Sequence, residues 1–266
     1  MDVLMKIQKE YLNLASKEKK VADYILRYSD SIKNMNIKEL AEKTGTSPST
    51  ITRFIRKIDL ISYSDMKIDL QSADSQKIPE YTDSIIDDVF LYYQNVIKNT
   101  QRLINIQEIE AFADMISDAP KVILIGASNS GVTADIFRVR LMRMGIEAIS
   151  YSDPMWMEMN AGISNANDLY IVLSNSGTTQ CIIDTMKRAK LRGCKIISIT
   201  SYSENPIGEM SDLALYVYNT RFVNNEKFTN SQFSMVYLID VLTTYLLEND
   251  NYRLKMLRTR DIVGDA

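Results

Sequence analysis

The sequence predicts two domains of different fold class: an all-α domain, then an α/β domain with a mostly parallel five-stranded sheet flanked by helices. Up to about Leu70, apolar residues recur with helical spacing and no segment alternates as a strand does. Beyond residue 118, five short apolar runs alternate with longer segments of mostly helical spacing. Strands that alternate with helices form βαβ units, which give a parallel sheet covered on both faces.

Length and composition are ordinary for a globular protein. The chain has 266 residues, 45% of them hydrophobic, which is enough for two modest domains. No run approaches the roughly 18 consecutive apolar residues of a membrane span, and the start MDVLMKIQKE lacks the apolar core of a secretory signal. We therefore expect a cytoplasmic protein with no membrane partner.

The residue types that most often carry metal and acid–base chemistry are scarce. The chain contains no histidine, the commonest general base and metal ligand near neutral pH. Cys181 and Cys194 have neither a CxxC spacing nor a metal-site spacing, so we interpret both as reduced packing residues. Nothing in the sequence predicts a metal ion or another cofactor.

Charge is unevenly distributed along the chain. Residues 1–77 carry 14 lysines and arginines against 11 aspartates and glutamates, whereas residues 78–266 carry 17 against 23. Residues 71–80 (QSADSQKIPE) lose the helical periodicity and collect polar residues, as a linker does. A mildly basic front half and an acidic back half indicate domains with different partners, although this excess does not by itself predict nucleic-acid binding.

Within the first domain, residues 37–56 have the spacing of a helix-turn-helix. Ala41 is small enough for two helices to approach closely, and Gly45 can take the positive φ of a tight turn. Ser47 supplies an N-cap for the second helix, and Pro48 suits its first turn.

The second helix of this pair has an outward side suited to DNA. Ile51 and Phe54 face back onto the first helix. The outward positions are Ser47, Ser49, Thr52, Arg53 and Arg56. Short polar groups and arginines suit base edges and phosphates in a major groove. The alternative is an ordinary helical hairpin with solvated polar residues, which does not need all these features at this spacing.

The second domain contains helices before, between and after the predicted strands. We predict helices near residues 83–104 and 107–118 and a final helix over roughly 228–248. The apolar runs that we interpret as strands are residues 121–125, 147–151, 169–173, 195–199 and 213–217.

Two of these strands end in uncharged, hydroxyl-rich loops, GASNSG at residues 126–131 and SNSGTT at residues 174–179. Such residues dominate ordinary turns, so either loop alone is equally consistent with a solvated turn. Hydroxyls and free backbone N–H groups at a helix N-terminus also bind phosphate without a charged side chain. Because ligands of parallel sheets bind outside the carboxyl ends of the strands, two such loops at one edge favour an anion site.

Residues 1–77 resemble the N-terminal helix-turn-helix of the RpiR family of bacterial transcriptional regulators, including EKKVADYIL at residues 18–26 and YSDMK at residues 63–67. Residues from about 107 to 249 resemble the sugar isomerase (SIS) domain, which binds phosphosugars. This order of two domains is a specific pairing that covers nearly the whole chain.

The resemblance implies which residues hold the phosphosugar. The second loop of SIS domains usually follows S-x-S-G-x-T, matched by Ser174, Ser176, Gly177 and Thr179, and the serine that closes the first loop matches Ser130. The resulting phosphosugar-binding candidates are Ser128, Asn129, Ser130, Ser174, Asn175, Ser176, Gly177, Thr178 and Thr179.

The sequence departs from the family pattern in both domains. Ser128 stands at the second glycine of the usual G-x-G-x-S loop, and Asp59 and Ser62 stand where glycines usually follow the recognition helix. In addition, residues 153–159 (DPMWMEM) are candidates for the sugar side of the pocket, although apolar residues at helical spacing are more often core.

The predicted domains are a helix-turn-helix domain (1–77), a linker and connecting helix (78–106), an SIS domain (107–250) and a C-terminal tail (251–266). The resemblance implies a regulator, homodimeric or homotetrameric, whose affinity for operator DNA is controlled by a phosphorylated sugar. The alternative is a phosphosugar isomerase or lyase, with acid–base candidates such as Glu158, Glu204 and Glu226. The absence of histidine and the helix-turn-helix argue against an enzyme.

Overall fold

The computed structural model describes residues 3–72, 84–201, 203–218 and 229–264. They form two compact units, and the boundary between them falls within one helix, between Val96 and Ile97. Residues 73–83, which contain most of the predicted linker, and residues 219–228 lie outside the described part of the chain.

The first unit is helical, as the sequence predicts. Its helices are α1 (Val3–Glu10), α2 (Ser16–Arg27), α3 (Ser29–Ile32), α4 (Ile37–Thr44), α5 (Pro48–Lys57) and α6 (Tyr63–Ser72), with a 3₁₀ turn at Tyr11–Asn13. Their apolar sides meet in one core that includes Ile25, Leu40, Ile51 and Phe54, all fully buried. The spacing of these residues selects the helix faces that pack together.

The second unit is built on a five-stranded sheet. Helix α7 (Ile85–Leu103) contains the boundary between the two units, and α8 (Ile106–Asp118) follows it and leads into the sheet. The remaining elements are β1 (Val122–Gly126), α9 (Asn129–Arg143), β2 (Ala148–Tyr151), α10 (Pro154–Ile163), β3 (Leu169–Ser174), α11 (Gln180–Leu191), β4 (Lys195–Ser201), α12 (Pro206–Glu209), β5 (Leu213–Val217), α13 (Phe233–Leu246) and α14 (Asp250–Val263).

The strands lie in the order β2-β1-β3-β4-β5, and every pair is parallel. Residues Val122 and Leu124 pack under α8, α9 and α13, whereas Ile123 and Ile125 pack under α10, α11 and α12. Burial on both faces explains why the strands appear in the sequence as continuous apolar runs. After β2 the chain returns across β1 and adds β3, β4 and β5 on the other side of it, so the order of strand addition reverses between β1 and β3. Ligands of such sheets bind at that point.

The structure revises two helix predictions near the C-terminus. The final helix of the sheet domain begins at Phe233 instead of near residue 228, and a further helix, α14, occupies residues that the sequence analysis assigns to a tail. The Asn249 side chain caps α14, and Tyr252 and Met256 pack at the edge of the core. None of the helices in the described ranges combines the length and apolar character needed to span a bilayer.

Candidate functional site

The turn between α4 and α5 has the geometry expected of a helix-turn-helix. Asn36 caps α4 in a capping box with Glu39, and Gly45 ends the helix with φ of 61°. Ser47 caps α5, its Oγ accepting from Thr50 N at 3.3 Å, and Pro48 is the first residue of the helix. Each turn of the motif is therefore specified locally by its own sequence.

All five DNA-binding candidates lie on the exposed side of α5. The Ser47 hydroxyl lies 2.8 Å from that of Ser49, and Thr52 Oγ1 donates to Pro48 O at 3.0 Å. Arg53 and Arg56 are exposed and form no ion pair with another described residue. Their guanidinium groups are free to meet phosphates or base edges.

The C-terminal end of α5 is tied to α2. Lys57 Nζ lies 2.8 Å from Glu18 Oε2, and Glu18 also accepts from Ala15 N at 2.8 Å. Burial alone would raise the pKa of Glu18, but the hydrogen bonds from Lys57 and Ala15 and the charges of Lys57 and Arg53 outweigh it and lower the pKa below its usual range. This contact fixes the helix that presents the two exposed arginines.

In the second unit, the loop after β1 makes a close contact with the start of α9. A side chain at Gly126 would place its Cβ 2.6 Å from Ser130 O, so only glycine fits there. Ser128 has φ of 53° and ψ of −130°, a conformation that glycine adopts far more readily than serine. Asn129 is exposed, whereas Ser130 is 7% exposed and donates from its Oγ to Gln232 Oε1 at 3.2 Å.

The loop after β3 is held in shape by its own hydroxyls. Ser174, 3% exposed, accepts from Gly177 N at 3.3 Å and lies 3.3 Å from Thr179 Oγ1. Ser176 is exposed, and its Oγ lies 3.4 Å from that of Thr179 and accepts from Thr178 N at 3.3 Å. The outward residues of this loop are therefore Ser176 and Thr178, with Thr179 half-buried.

The helix that follows this loop begins with unpaired donors. The N–H groups of Gln180 and Cys181, the first residues of α11, have no hydrogen-bond acceptor among the described residues. Such first-turn N–H groups, together with the helix dipole, attract anions. Residues 174–181 thus present hydroxyl and N–H donors with no positively charged side chain among them.

A third loop, after β4, supports the second one. Ser201 Oγ donates to Asn175 Oδ1 at 2.7 Å, and Ile207 N donates to Gly177 O at 3.2 Å. Gly177 has φ of 67°, and a Cβ there would come within 2.2 Å of the Asn205 side chain. The Asn175 side chain thus braces the loop, although the sequence analysis places it among the ligand-binding candidates.

The structure shows two residues near the site that the sequence analysis misses. Gln232, just before α13, contacts the first loop, and Asn205 packs against the second. Neither belongs to a recognisable motif, and each reaches the site only because a distant segment folds next to it. Their shared feature is that both are polar side chains buried by the fold, Gln232 with 7% and Asn205 with 2% of its surface exposed. A buried polar side chain needs a hydrogen-bond partner, which is the one signal that could point to them.

The apolar residues at 153–159 are not all core residues, contrary to what their helical spacing favours. Met157 is buried, but Met155, Trp156 and Met159 are each more than half exposed. Met157 faces the sheet, and the other three lie on the outward side of α10. The core interpretation is therefore wrong for these three.

Of the two cysteines, Cys194 is buried and Cys181 is partly exposed, and both are free thiols. No three described His, Cys, Asp or Glu side chains come together as a metal site.

Comparison with known proteins agrees with the two-unit structure. A family model described as the helix-turn-helix domain of the rpiR family matches residues 1–77, and the SIS domain model matches residues 115–245. An uncharacterized HTH-type transcriptional regulator of Clostridium perfringens is 27% identical over 279 aligned positions, covering 100% of both chains.

Two further comparisons concern proteins that carry an individual name. The Vibrio vulnificus NanR protein, solved in complex with ManNAc-6P, has a TM-score of 0.62 and 26% identity, with 99% of this chain and 98% of that chain covered. A bifunctional protein glk of Burkholderia thailandensis is 26% identical over 86% of this chain but only 37% of its own length. The chain belongs to the RpiR family, with a helix-turn-helix domain followed by an SIS domain.

Proposed function

We propose that this RpiR-family transcriptional regulator controls genes of carbohydrate metabolism by binding operator DNA with an affinity set by a phosphorylated sugar. The observation that carries the proposal is the pair of hydroxyl-rich loops at the carboxyl ends of the adjacent strands β1 and β3. This is the place where parallel sheets bind ligands. Such a regulator works in the cytoplasm, where its operator is accessible.

In this proposal the phosphate is held mainly by the second loop. Ser176, Thr178 and Thr179 donate from their hydroxyls, and the free N–H groups of Gln180 and Cys181 donate from the helix. Ser174, Asn175 and Gly177 keep the loop in shape through their internal contacts. The first loop contributes through Ser128, Asn129 and Ser130.

The candidate phosphosugars are chosen from the chemistry of the site and from the ligand of one related protein. A site without a charged side chain binds phosphate through many hydrogen bonds, so affinity depends on both loops being engaged at once. Since NanR of V. vulnificus was solved with ManNAc-6P, we include that compound among the candidate effectors, beside glucose 6-phosphate, fructose 6-phosphate and glucosamine 6-phosphate.

A thermal-shift screen of the full-length protein tests the site. At least one of these phosphosugars is expected to raise the melting temperature, because a ligand that binds only the folded state stabilises it. The unphosphorylated sugars should have no effect. If no phosphosugar at millimolar concentration shifts the melting temperature, the proposal fails.

Replacing Ser176 by Asp provides the matched control. The new carboxylate would face the phosphate and repel it, while the exposed position leaves the fold intact. We expect Ser176→Asp to abolish the shift and Thr179→Ala to weaken binding by roughly 1.5–3 kcal/mol, the usual worth of a hydrogen bond to a charged group. Ser174→Ala removes the acceptor of Gly177 N inside the loop and is expected to weaken binding less, by loosening the loop. A full shift in the Asp variant would place the phosphate elsewhere.

The second candidate is a phosphosugar isomerase, because the SIS domain is named for such enzymes. Of its acid–base candidates, Glu158 pairs with Arg188 at 3.0 Å, Glu204 is exposed, and Glu226 lies outside the described residues. Incubating each phosphosugar with the protein and following interconversion by NMR separates the two functions, since a regulator returns the sugar unchanged.

A further inference from the structure

We propose that Gln232 controls the phosphosugar site by holding the Ser130 hydroxyl in the ligand-free protein and releasing it to the phosphate when a phosphosugar binds. The inference rests on the proposed function and adds to it a residue from a third segment of the chain, just before α13.

The contact joins two buried side chains from distant parts of the chain. Ser130 Oγ donates to Gln232 Oε1 at 3.2 Å, and Thr133 Oγ1 lies 3.4 Å from the same oxygen. The exposures of Ser130, Thr133 and Gln232 are 7%, 2% and 7%. Water therefore competes little for these hydrogen bonds, and the amide oxygen has a defined partner.

The stoichiometry of the hydroxyl makes this contact incompatible with phosphate binding through Ser130. A serine hydroxyl has one hydrogen, and a phosphate dianion only accepts hydrogen bonds. While Ser130 donates to Gln232, it has nothing to donate to a phosphate oxygen. Engagement of Ser130 by the ligand therefore requires Gln232 to give up that hydrogen.

Rotation of the glutamine side chain allows the exchange. Rotation about its last torsion, which has a broad and roughly two-fold profile, swaps Oε1 for Nε2. The amide NH₂ then donates to a lone pair of Ser130 Oγ while the hydroxyl hydrogen turns to the phosphate. Gln232 thus serves as acceptor without ligand and as donor with it, and acts as a positioning residue for Ser130.

Gln232 directly precedes α13, the helix that packs beside α9. Helices α9 and α13 also meet farther along, where Arg140 Nη1 donates to Thr243 Oγ1 at 3.3 Å and pairs with Asp240. Eleven residues separate Gln232 from Thr243, about 16 Å along a helix. This second contact gives a control for changes that only loosen α9 against α13.

Two substitutions of similar size distinguish positioning from packing. Gln232→Glu keeps the acceptor seen in the structure but cannot donate, and it adds a negative charge beside the phosphate. Gln232→Met removes every hydrogen bond and leaves the Ser130 hydroxyl free. Calorimetric titration of full-length variants with ManNAc-6P, glucose 6-phosphate, fructose 6-phosphate and glucosamine 6-phosphate measures the effects.

We expect Gln232→Glu to raise the dissociation constant at least tenfold and Gln232→Met to change it less than threefold. Thr243→Val is expected to lower the melting temperature without changing the dissociation constant. In a Ser130→Ala background, Gln232→Met should have no further effect. If Gln232 only packs α13 against α9, Gln232→Glu behaves as Thr243→Val does, with a lower melting temperature and an unchanged dissociation constant, and that result overturns the inference. A Met variant that binds more weakly than the Glu variant also overturns it.

The experiment separates this inference from the proposed function. Wild-type protein that binds a phosphosugar, together with a Glu variant that binds equally well, overturns the role of Gln232 alone. Wild-type protein that binds none of the four compounds overturns the proposed function and the role of Gln232 with it.

Discussion

Ser128 and Asp59 are the two described non-glycine residues with positive φ, at 53° and 55°. Both stand where the family pattern usually has glycine. Asp59 follows α5, where Leu60 N donates to Ile55 O and Asp59 N to Arg56 O, the hydrogen bonds of a glycine-type helix end. The fold has thus kept the backbone conformation that the family's glycines adopt, at a cost in strain.

Ser128→Gly is expected to stabilise the second unit. Glycine adopts this conformation without the steric cost, which for other residues is about 1–3 kcal/mol, and part of the gain is offset by the greater freedom of glycine in the unfolded chain. Urea denaturation followed by the fluorescence of Trp156, the one tryptophan of the chain, reports on this unit.

Asp59→Gly is the matched control, since it relieves the same strain in the first unit. It is expected to leave the Trp156 transition unchanged and to raise the midpoint of the helical circular dichroism signal from the first unit. A Ser128→Gly variant no more stable than wild type would show that the loop conformation is not strained.

Glu18 makes the stability of the first unit depend on pH. Its pKa is lowered in the folded state, so its contribution is present above the unfolded value near 4.5 and is lost as the pH falls through the folded value. We expect Glu18→Gln to cost about 1 kcal/mol at pH 7, the scale of a partly exposed ion pair with a capping contact.

The test is urea denaturation of wild type and Glu18→Gln at pH 7 and at pH 3. The two proteins should differ at neutral pH, and the difference should shrink in acid as the Glu18 carboxylate takes up a proton. An equal difference at both pH values would assign the effect to packing instead of to the carboxylate charge.

At the scale of elements, α5 carries the DNA-binding prediction. Arg53→Ala and Arg56→Ala are each expected to weaken operator binding and leave phosphosugar binding intact. Loss of a base-reading arginine costs about 1–3 kcal/mol and loosens specificity at one base pair, whereas loss of a phosphate contact weakens all sequences alike. Titrations at fixed salt with operator and unrelated DNA distinguish the two, and unchanged affinity in both variants would contradict the assignment.

Elements whose burial follows from their own sequence were predictable, and those that depend on a distant partner were not. The strands lie at the predicted positions because strands buried on both faces must be apolar throughout. Helix α14 has charged residues around most of its surface and owes its position to contacts of Tyr252 and Met256 with the second unit. The contact of Gln232 with Ser130 likewise could not be predicted from the sequence, because it forms only when a distant segment folds against the first loop.

At the scale of the whole molecule, we expect two subunits to act together. One helix-turn-helix contacts little DNA, so regulators of this type usually bind paired half-sites about 34–36 Å apart through two-fold symmetry. The candidates for the subunit contact are two helices with apolar sides, α7 and α13. The apolar side of α13 packs within its own unit, with Leu238, Ile239 and Leu242 buried. On α7, Tyr92 and Val96 are also buried, but Ile85 and Phe90 are 77% and 61% exposed.

These exposed residues of α7 are the expected contact between subunits. Sedimentation of the full-length protein should show a dimer or tetramer at micromolar concentration, and Ile85→Glu with Phe90→Glu should shift it towards monomer. Leu254→Glu with Ile262→Glu, which changes equally exposed apolar residues on α14, is the control. The dissociated variant is expected to lose operator affinity while keeping phosphosugar affinity, because the sugar site as proposed lies within one subunit.

Control of DNA binding by the sugar then has a thermodynamic consequence that is independent of structural detail. An effector shifts the equilibrium between DNA-binding and non-binding states only by its difference in affinity for them. By reciprocity, operator DNA must change the phosphosugar dissociation constant by the same factor, and couplings of this kind are typically 1–3 kcal/mol, or about 5–150-fold. Phosphosugar titrations with and without saturating operator measure that factor, and operator titrations with and without phosphosugar must return it. Equal sugar affinity in both titrations would leave sugar binding intact but remove the regulatory role.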